Sequence, residues 1–316
     1  MEALLTLQIF AGMLVLLAAS GLFIHSLVHI GRIARIREHM IVFVLVGFAT
    51  ALPELFIGIN AVILKVQPIA LGNAIGTSIA SMAFIAGMVA IFSKKFSTRT
   101  FFAHHDLTSL SLSTVLLFIL ASDGELSRID GALLLIVFGY YLWNLYEQRH
   151  EFKIRYPESK KNLFVHLLVL IITAISIYLA AQYVLLSVYF LQSETMISGF
   201  LVGIILLAPL GALPELIIEF ELIRGKLSSL SFGDLFTSVV VNSTLVIGVV
   251  SLLRPFTIES PALVQFSGFF LLILLLLFNV FARTRKQIDW KEGLVLVLGY
   301  FVFIISSFFI AIFTQS

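Results

Sequence analysis

The sequence has no cysteine among its 316 residues. Disulfides, thiolate metal centres and cysteine nucleophiles are therefore excluded. Charge is nearly as scarce. Asp, Glu, Lys and Arg make up 12% of the chain, against about 25% in an ordinary soluble domain. The net charge of +2 is too small to suggest a nucleic-acid partner. Strictly alternating apolar and polar runs are missing, which argues against a transmembrane barrel. Repeats of 20 to 50 residues are missing too, which excludes a solenoid. What fills the chain is apolar: 60% of residues are hydrophobic and the mean hydropathy is +1.08. A water-soluble enzyme could not cover that much apolar surface.

The apolar residues form long blocks separated by charge clusters and Pro/Gly signals. At about 20 residues per membrane crossing, the length accommodates roughly ten helices and no separate soluble domain. The expected spans are 3–29, 40–64, 69–92, 106–122, 129–147, 163–190, 197–222, 227–252, 261–282 and 292–313. The first block, from Ala3 to Ile24, is too long for a signal-peptide core and lacks a basic start. Basic residues set the orientation. Connections after spans one, three, five, seven and nine hold 17 of the 20 Lys and Arg, and the other side holds only Lys65, Arg128 and Arg254. The 17 are expected in the cytoplasm, with both termini outside.

An internal repeat runs through the chain. Ala51-Leu-Pro-Glu-Leu55 recurs as Ala212-Leu-Pro-Glu-Leu216, 161 residues later. Leu71-Gly-Asn-Ala-Ile-Gly-Thr-Ser78 aligns at the same spacing with Phe232-Gly-Asp-Leu-Phe-Thr-Ser-Val239. Arg128-Ile-Asp-Gly131 and Asp289-Trp-Lys-Glu-Gly293 each precede an apolar block. The repeat thus covers five helices. Five is odd, so the second copy enters the membrane from the opposite face, the plan of secondary transporters with a site at the repeat interface. The expected fold is an all-α polytopic membrane protein, ten transmembrane helices in two inverted five-helix repeats. The expected divisions are 1–150, a cytoplasmic connector at 151–162, and 163–316.

Glu54 and Glu215 fall deep within spans two and seven. An ionised group at that depth costs several kcal/mol unless it is paired or lines an aqueous cavity. Each follows a proline. Pro53 and Pro214 deprive the carbonyls of Ala49 and Leu210 of a donor, and Pro209 loosens the preceding turn. Each helix is expected to break beside its glutamate, where freed carbonyls are tolerated if they line a cavity. The neighbouring spans add oxygens at four-residue spacing, on one broad face: Asn73, Thr77 and Ser81 in span three, and Asp234, Ser238 and Asn242 in span eight. Gly72 and Gly76 allow close helix approach. All of these are hard oxygen donors, suited to Ca²⁺, to Na⁺ or to protons, and unsuited to soft metals. Two glutamates neutralise one divalent or two monovalent cations, the charge equivalence that exchange requires.

These residues resemble the cation/calcium antiporter superfamily, particularly the prokaryotic sodium/calcium exchangers. Each half of those proteins carries Gly-Thr-Ser-Leu-Pro-Glu followed by a Gly-Asn-x-x-Gly-Ser-Asn-like segment. The corresponding strings are Ala49-Thr-Ala-Leu-Pro-Glu54 with Gly72-Asn-Ala-Ile-Gly-Thr77, and Leu210-Gly-Ala-Leu-Pro-Glu215 with Gly233-Asp-Leu-Phe-Thr-Ser238. The resemblance implies a central Ca²⁺ site on Glu54 and Glu215 with flanking Na⁺ sites. It also implies contributions from Thr50 and from the backbone carbonyls of Gly47 and Ala208, and motion of spans one and six past a static core. The chain departs from the pattern at Ala51, Gly211 and Ala212, where hydroxyls are lost, and at Asp234, where Asn is usual. Lost hydroxyls weaken Na⁺ sites more than a carboxylate-based Ca²⁺ site, so proton coupling is the alternative.

The function expected is therefore export of Ca²⁺ in exchange for Na⁺, with Ca²⁺/H⁺ exchange as runner-up. An intramembrane hydrolase and a passive channel are the readings from other classes. No cofactor is expected beyond the transported ions, the partner is the lipid bilayer, and the location is a prokaryotic plasma membrane. Glu219, one turn beyond Glu215, has no assigned role. His25 and His29 lie one turn apart without a third ligand nearby in the sequence, and His104-His105-Asp106 reads as an interfacial patch.

Overall fold

The computed structural model describes residues 2–33, 50–93, 95–97, 104–147, 163–195, 197–224, 228–285 and 287–315. The expected connector at 151–162 and the first part of span two lie outside these residues. Among the described residues the structure is helical apart from turns and four very short strands. In order, it runs through α1 (Glu2–Ile33), α2 (Leu52–Leu64), α3 (Gln67–Ile79), a π-helical turn (Ala80–Ile85) and α4 (Ala86–Ser93). Strand β1 (Lys95–Ser97), α5 (His104–Leu120), β2 (Glu125–Leu126) and α6 (Arg128–Glu147) follow. Then come α7 (Leu163–Thr195), α8 (Gly199–Val202), a second π turn (Gly203–Leu207) and α9 (Ala208–Arg224). The chain ends with α10 (Ser228–Val241), a third π turn (Asn242–Val246), α11 (Ile247–Leu253), β3 (Phe256–Thr257), α12 (Pro261–Arg285), β4 (Gln287–Asp289) and α13 (Trp290–Gln315). Among the described residues, seven helical stretches are long and apolar enough to cross a membrane, and two shorter apolar helices accompany them. The chain is an integral membrane protein.

Local sequence explains where helices begin and end. Pro53, Pro68 and Pro261 sit at helix starts, where a missing N–H costs nothing. Lys65, in the left-handed region at φ 64°, ends α2, and the Val66 N–H closes the turn on the Ala61 carbonyl at 2.9 Å. The third repeat motif is a helix start. The Ser127 N–H donates to Asp130 Oδ2 at 2.8 Å, and the Asp130 N–H donates to Ser127 Oγ at 3.3 Å. At the matching place before α13, the Asp289 N–H donates to Glu292 Oε2 at 2.9 Å.

The elements recur along the chain at the spacing of the sequence repeat. α1 and α7 begin at residues 2 and 163, α3 and α10 at 67 and 228, and α6 and α13 at 128 and 290. The π turns at Ala80–Ile85 and Asn242–Val246 also correspond. Strand pairing is reciprocal, since β1 pairs antiparallel with β4 and β2 with β3. Glycine packing is reciprocal too. A Cβ on Gly87 would meet the Gly293 carbonyl at 2.6 Å, and one on Gly131 would meet the Gly248 carbonyl at 2.7 Å.

Every residue of α3 is buried, and its sequence is apolar around the whole circumference save for Gln67, Asn73, Thr77 and Ser78. The main core surrounds it, with Ile79, Met82, Leu235, Phe278 and Phe303. A second core joins α1 to α7 through Ile9, Met13 and Leu16 against Ile177, Val184 and Val188. The outer faces of these helices carry exposed apolar side chains such as Leu14, Phe164, Ile171 and Phe301. That surface needs lipid to cover it.

The expectation of a helix break beside each glutamate holds in the first half only. Ala51 is a turn residue, and α2 restarts at Leu52 with Pro53 and Glu54 in its first turn. In the second half α9 runs through Pro214 unbroken. The irregularity lies earlier, at Gly203–Leu207, just before Pro209. Single π turns of this kind inside an α-helix are often found at functional sites.

Candidate ion-binding site

The site is set by a backbone-to-backbone crossing. A Cβ on Gly72 would lie 2.1 Å from the Phe200 carbonyl oxygen, and one on Gly203 would lie 2.4 Å from the Ile69 carbonyl oxygen. One turn on, a Cβ on Gly76 would lie 2.6 Å from Ala208 Cβ. Only glycine lets α3 press so closely on α8, the second π turn and the start of α9. The contact fixes which side chains face each other beyond it.

Beyond it lies Gly211. Its absent side chain leaves a space facing three oxygens. A Cβ built there is 3.2 Å from Glu54 Oε1, 3.8 Å from Thr77 Oγ1 and 4.0 Å from Asn73 Oδ1. These come from α2 and α3, the other half of the sequence repeat. Glu215 projects from α9, and its Oε2 accepts a hydrogen bond of 2.5 Å from Ser81 Oγ in the first π turn. The same hydroxyl lies 2.9 Å from the Thr77 carbonyl. Ser238 is a further hydrogen-bonding neighbour of Glu215, and the carboxyls of Glu54 and Asp234 are close enough to act on it electrostatically. Glu54 and Glu215 are each 3% exposed.

Most of these oxygens have nothing to bind. Glu54 Oε2, Asn73 Oδ1, Thr77 Oγ1, Glu215 Oε1, both oxygens of Asp234 and both polar atoms of the Asn242 side chain are buried without a hydrogen-bond partner. A native interior leaves few such atoms, and each costs about 1–3 kcal/mol, more when charged. A concentration of them on facing helices is what a site for a hard cation requires. Among the described residues no three carboxylate or imidazole groups converge to hold a metal by themselves.

The comparisons with known proteins agree with one another. The chain matches the family described as sodium/calcium exchanger protein over residues 4–146 and 165–309. It belongs to the sodium/calcium exchanger family. Sodium/calcium exchanger MaX1 of Methanosarcina acetivorans is 24% identical to this family member, over 95% of this chain and 97% of the relative. The solved H⁺/Ca²⁺ exchanger CAX superposes with a TM-score of 0.74 at 18% identity, covering 98% of this chain and 88% of CAX. The sodium-calcium exchanger NCX_Mj, soaked with Na⁺ and Sr²⁺, superposes with a TM-score of 0.69 at 23% identity, covering 96% and 99%. The two structures share this exchanger-family fold. The homologues are secondary transporters and not enzymes, which removes the hydrolase reading.

In this exchanger-family chain, the residues singled out from the sequence fall into three groups. Glu54, Asn73 and Thr77 converge on the face of Gly211, while Glu215 is hydrogen-bonded by Ser81 and has Ser238 as a close neighbour. Asp234, Asn242 and Ala208 are fully buried, Asn242 in the π turn at the position matching Ser81, Ala208 against Gly76. Thr50 is half-buried in the helical turn before the break, and Gly47 lies outside the described residues. Sequence reading missed Gly211 as a wall of the space, having counted it as a lost hydroxyl. It also missed the π turns. The isolated His25–His29 pair gains a neighbour in His166 of α7, whose ring centre is 4.0 Å from that of His29. The rings are tilted by 33°, and among the described residues no group of three metal-binding side chains forms.

Proposed function

We propose that the chain is a secondary antiporter that moves Ca²⁺ across the membrane in exchange for Na⁺. The two glutamates bind Ca²⁺ directly. Asn73, Thr77, Ser81, Ser238 and Asn242 complete the site, and Thr50 and the carbonyls of Gly47 and Ala208 contribute at its edges. The observation that carries this reading is the facing of Glu54, Asn73 and Thr77 onto Gly211 of the helix that holds Glu215. Carboxylates from two copies of one motif thereby serve a single buried, oxygen-lined space.

The architecture we propose is ten crossings in two inverted five-helix halves, 1–150 and 163–316, joined at 151–162, with both termini outside. The recurring element spacing, reciprocal strand pairs and reciprocal glycine contacts support it. Alternating access then follows from the oppositely directed halves. The pair α1 and α7, packed on each other through their own apolar core, is the moving element. The prokaryotic exchanger relatives support a prokaryotic plasma membrane location.

A second reading is Ca²⁺/H⁺ exchange, favoured by one feature: Gly211, Ala212 and Ala51 place no hydroxyl beside the glutamates. Uptake of ⁴⁵Ca²⁺ into proteoliposomes, under a Na⁺ gradient and a pH gradient imposed separately, distinguishes them. The Na⁺ gradient alone is expected to drive uptake. Drive by the pH gradient alone selects the second reading. Uptake that ignores both gradients would remove the antiport proposal.

A further inference from the structure

The two halves differ at one place in a way the central site does not explain. One turn beyond Glu215, α9 carries Glu219, and the facing part of α10 carries Ser231 and Asp234. All three are fully buried. The spacing of the repeat places Gly58, Ala70 and Asn73 at the corresponding positions of α2 and α3. A Cβ on Gly58 would lie 2.8 Å from Val250 Cγ2, so even a methyl group there would force that side chain to shift. The equivalent position is thus a glycine packed on Val250 of α11 in one half and a buried carboxylate facing α10 in the other.

The carboxylates are not neutralised by what surrounds them. Ser231 Oγ donates to Glu219 Oε2, while Glu219 Oε1 and both oxygens of Asp234 have no partner. The groups that act on Glu219 are Asp234, Ser231 and Glu215, two of them acids. Among the described residues no basic side chain pairs with either acid. Two adjacent carboxylates in a low-dielectric interior cannot both stay charged without a cation beside them. Unlike the central pair, this one lies wholly in the second half, on the side of Glu215 that leads to Arg224 and the α9–α10 connection.

We propose that Glu219 and Asp234, with the Ser231 hydroxyl, form a second hard-cation site for one Ca²⁺-class divalent ion, beside the central site on its Arg224 side. Two carboxylates match the charge of one divalent ion, and flexible oxygen coordination suits Ca²⁺ better than Mg²⁺. The inference rests on the Ca²⁺ reading of Glu54 and Glu215. It gives the transporter a one-sided antechamber, through which an ion arriving from the α9–α10 end passes on its way to the centre.

Equilibrium binding of ⁴⁵Ca²⁺ to the purified, detergent-solubilised full chain in Na⁺-free buffer tests it. The wild-type chain is expected to bind two ions. Glu219→Gln and Asp234→Asn are each expected to bind one, and Glu54→Gln to retain one that Glu219→Gln then abolishes. If Glu219→Gln does not purify as a single species, Asp234→Asn decides, because it installs the residue that the other half carries at Asn73. A wild-type stoichiometry of one overturns the proposal, as does a stoichiometry of two that survives both Glu219→Gln and Asp234→Asn. Two ions that survive Glu54→Gln but fall to one in Glu219→Gln would instead sink the central-site reading and leave the second site standing.

Discussion

Gly211 supplies a test in which two substitutions of nearly equal size have different effects. Its Cα faces Glu54 Oε1, Thr77 Oγ1 and Asn73 Oδ1 at 3.2, 3.8 and 4.0 Å from the ideal Cβ. Ca²⁺ bonded to Glu54 Oε1 at about 2.3–2.6 Å would occupy part of the volume a methyl group fills. Gly211→Ala therefore removes one side of the ion's coordination space. Its only tight contact is a carboxylate at the end of a flexible side chain, so the helix itself is not disturbed. Losing one oxygen partner of a charged group costs about 1.5–3 kcal/mol, or about 10- to 150-fold in affinity at 1.4 kcal/mol per decade. Gly211→Ser adds the same carbon with an oxygen that can replace the displaced ligand, so its affinity should stay within about threefold of wild type. The assay is ⁴⁵Ca²⁺ binding to both variants, with melting temperature as the folding control. Wild-type affinity in Gly211→Ala would refute the placement of the ion in this space.

Four further outcomes are expected. Ser81→Ala, which deletes the 2.5 Å hydrogen bond to Glu215, should weaken Ca²⁺ binding about tenfold with little change in thermal stability; equal losses in both would mark Ser81 as structural. Gly72→Ala should lower the melting temperature and abolish transport together, because its Cβ meets the Phe200 carbonyl at 2.1 Å, whereas Gly139→Ala, which meets nothing within 4 Å, should do neither. In a chain without native cysteine, Phe96→Cys with Ile288→Cys should form a disulfide on mild oxidation, since these residues are paired across β1 and β4; persistent free thiols would contradict that pairing. Ser316→Cys should react with an impermeant maleimide in intact cells if the termini face outward, and only after permeabilisation if they do not.

The helical plan was legible because lipid imposes a simple rule. A crossing needs a long apolar block, and the block edges are marked by charge and proline. Each expected span overlaps a helix where residues are described, and seven helical stretches among those residues are long and apolar enough to cross a membrane. The repeat was legible because Leu-Pro-Glu and the Arg128–Gly131 type of helix start are short, rigid signals. The π turns were not, because an added residue per turn leaves no compositional trace between Ala80 and Ile85. The strand pairs were not, because β1 and β4 join segments nearly two hundred residues apart and contain only two or three residues each. The role of Gly211 is a property of empty space, which no residue type announces. The Gly58–Glu219 difference could have been found from the sequence alone, by asking where the repeat exchanges the smallest residue for an acid.

The central claim is that Glu54 and Glu215 hold one transported cation between them. Counter-ion-driven ⁴⁵Ca²⁺ flux in proteoliposomes, compared for wild type, Glu54→Gln and Glu215→Gln at matched protein incorporation, tests it most directly. Each single substitution keeps the shape and removes one of the two charges that balance Ca²⁺. Flux is expected to fall to the level of empty vesicles in both variants, and transport near the wild-type rate in either would contradict the claim.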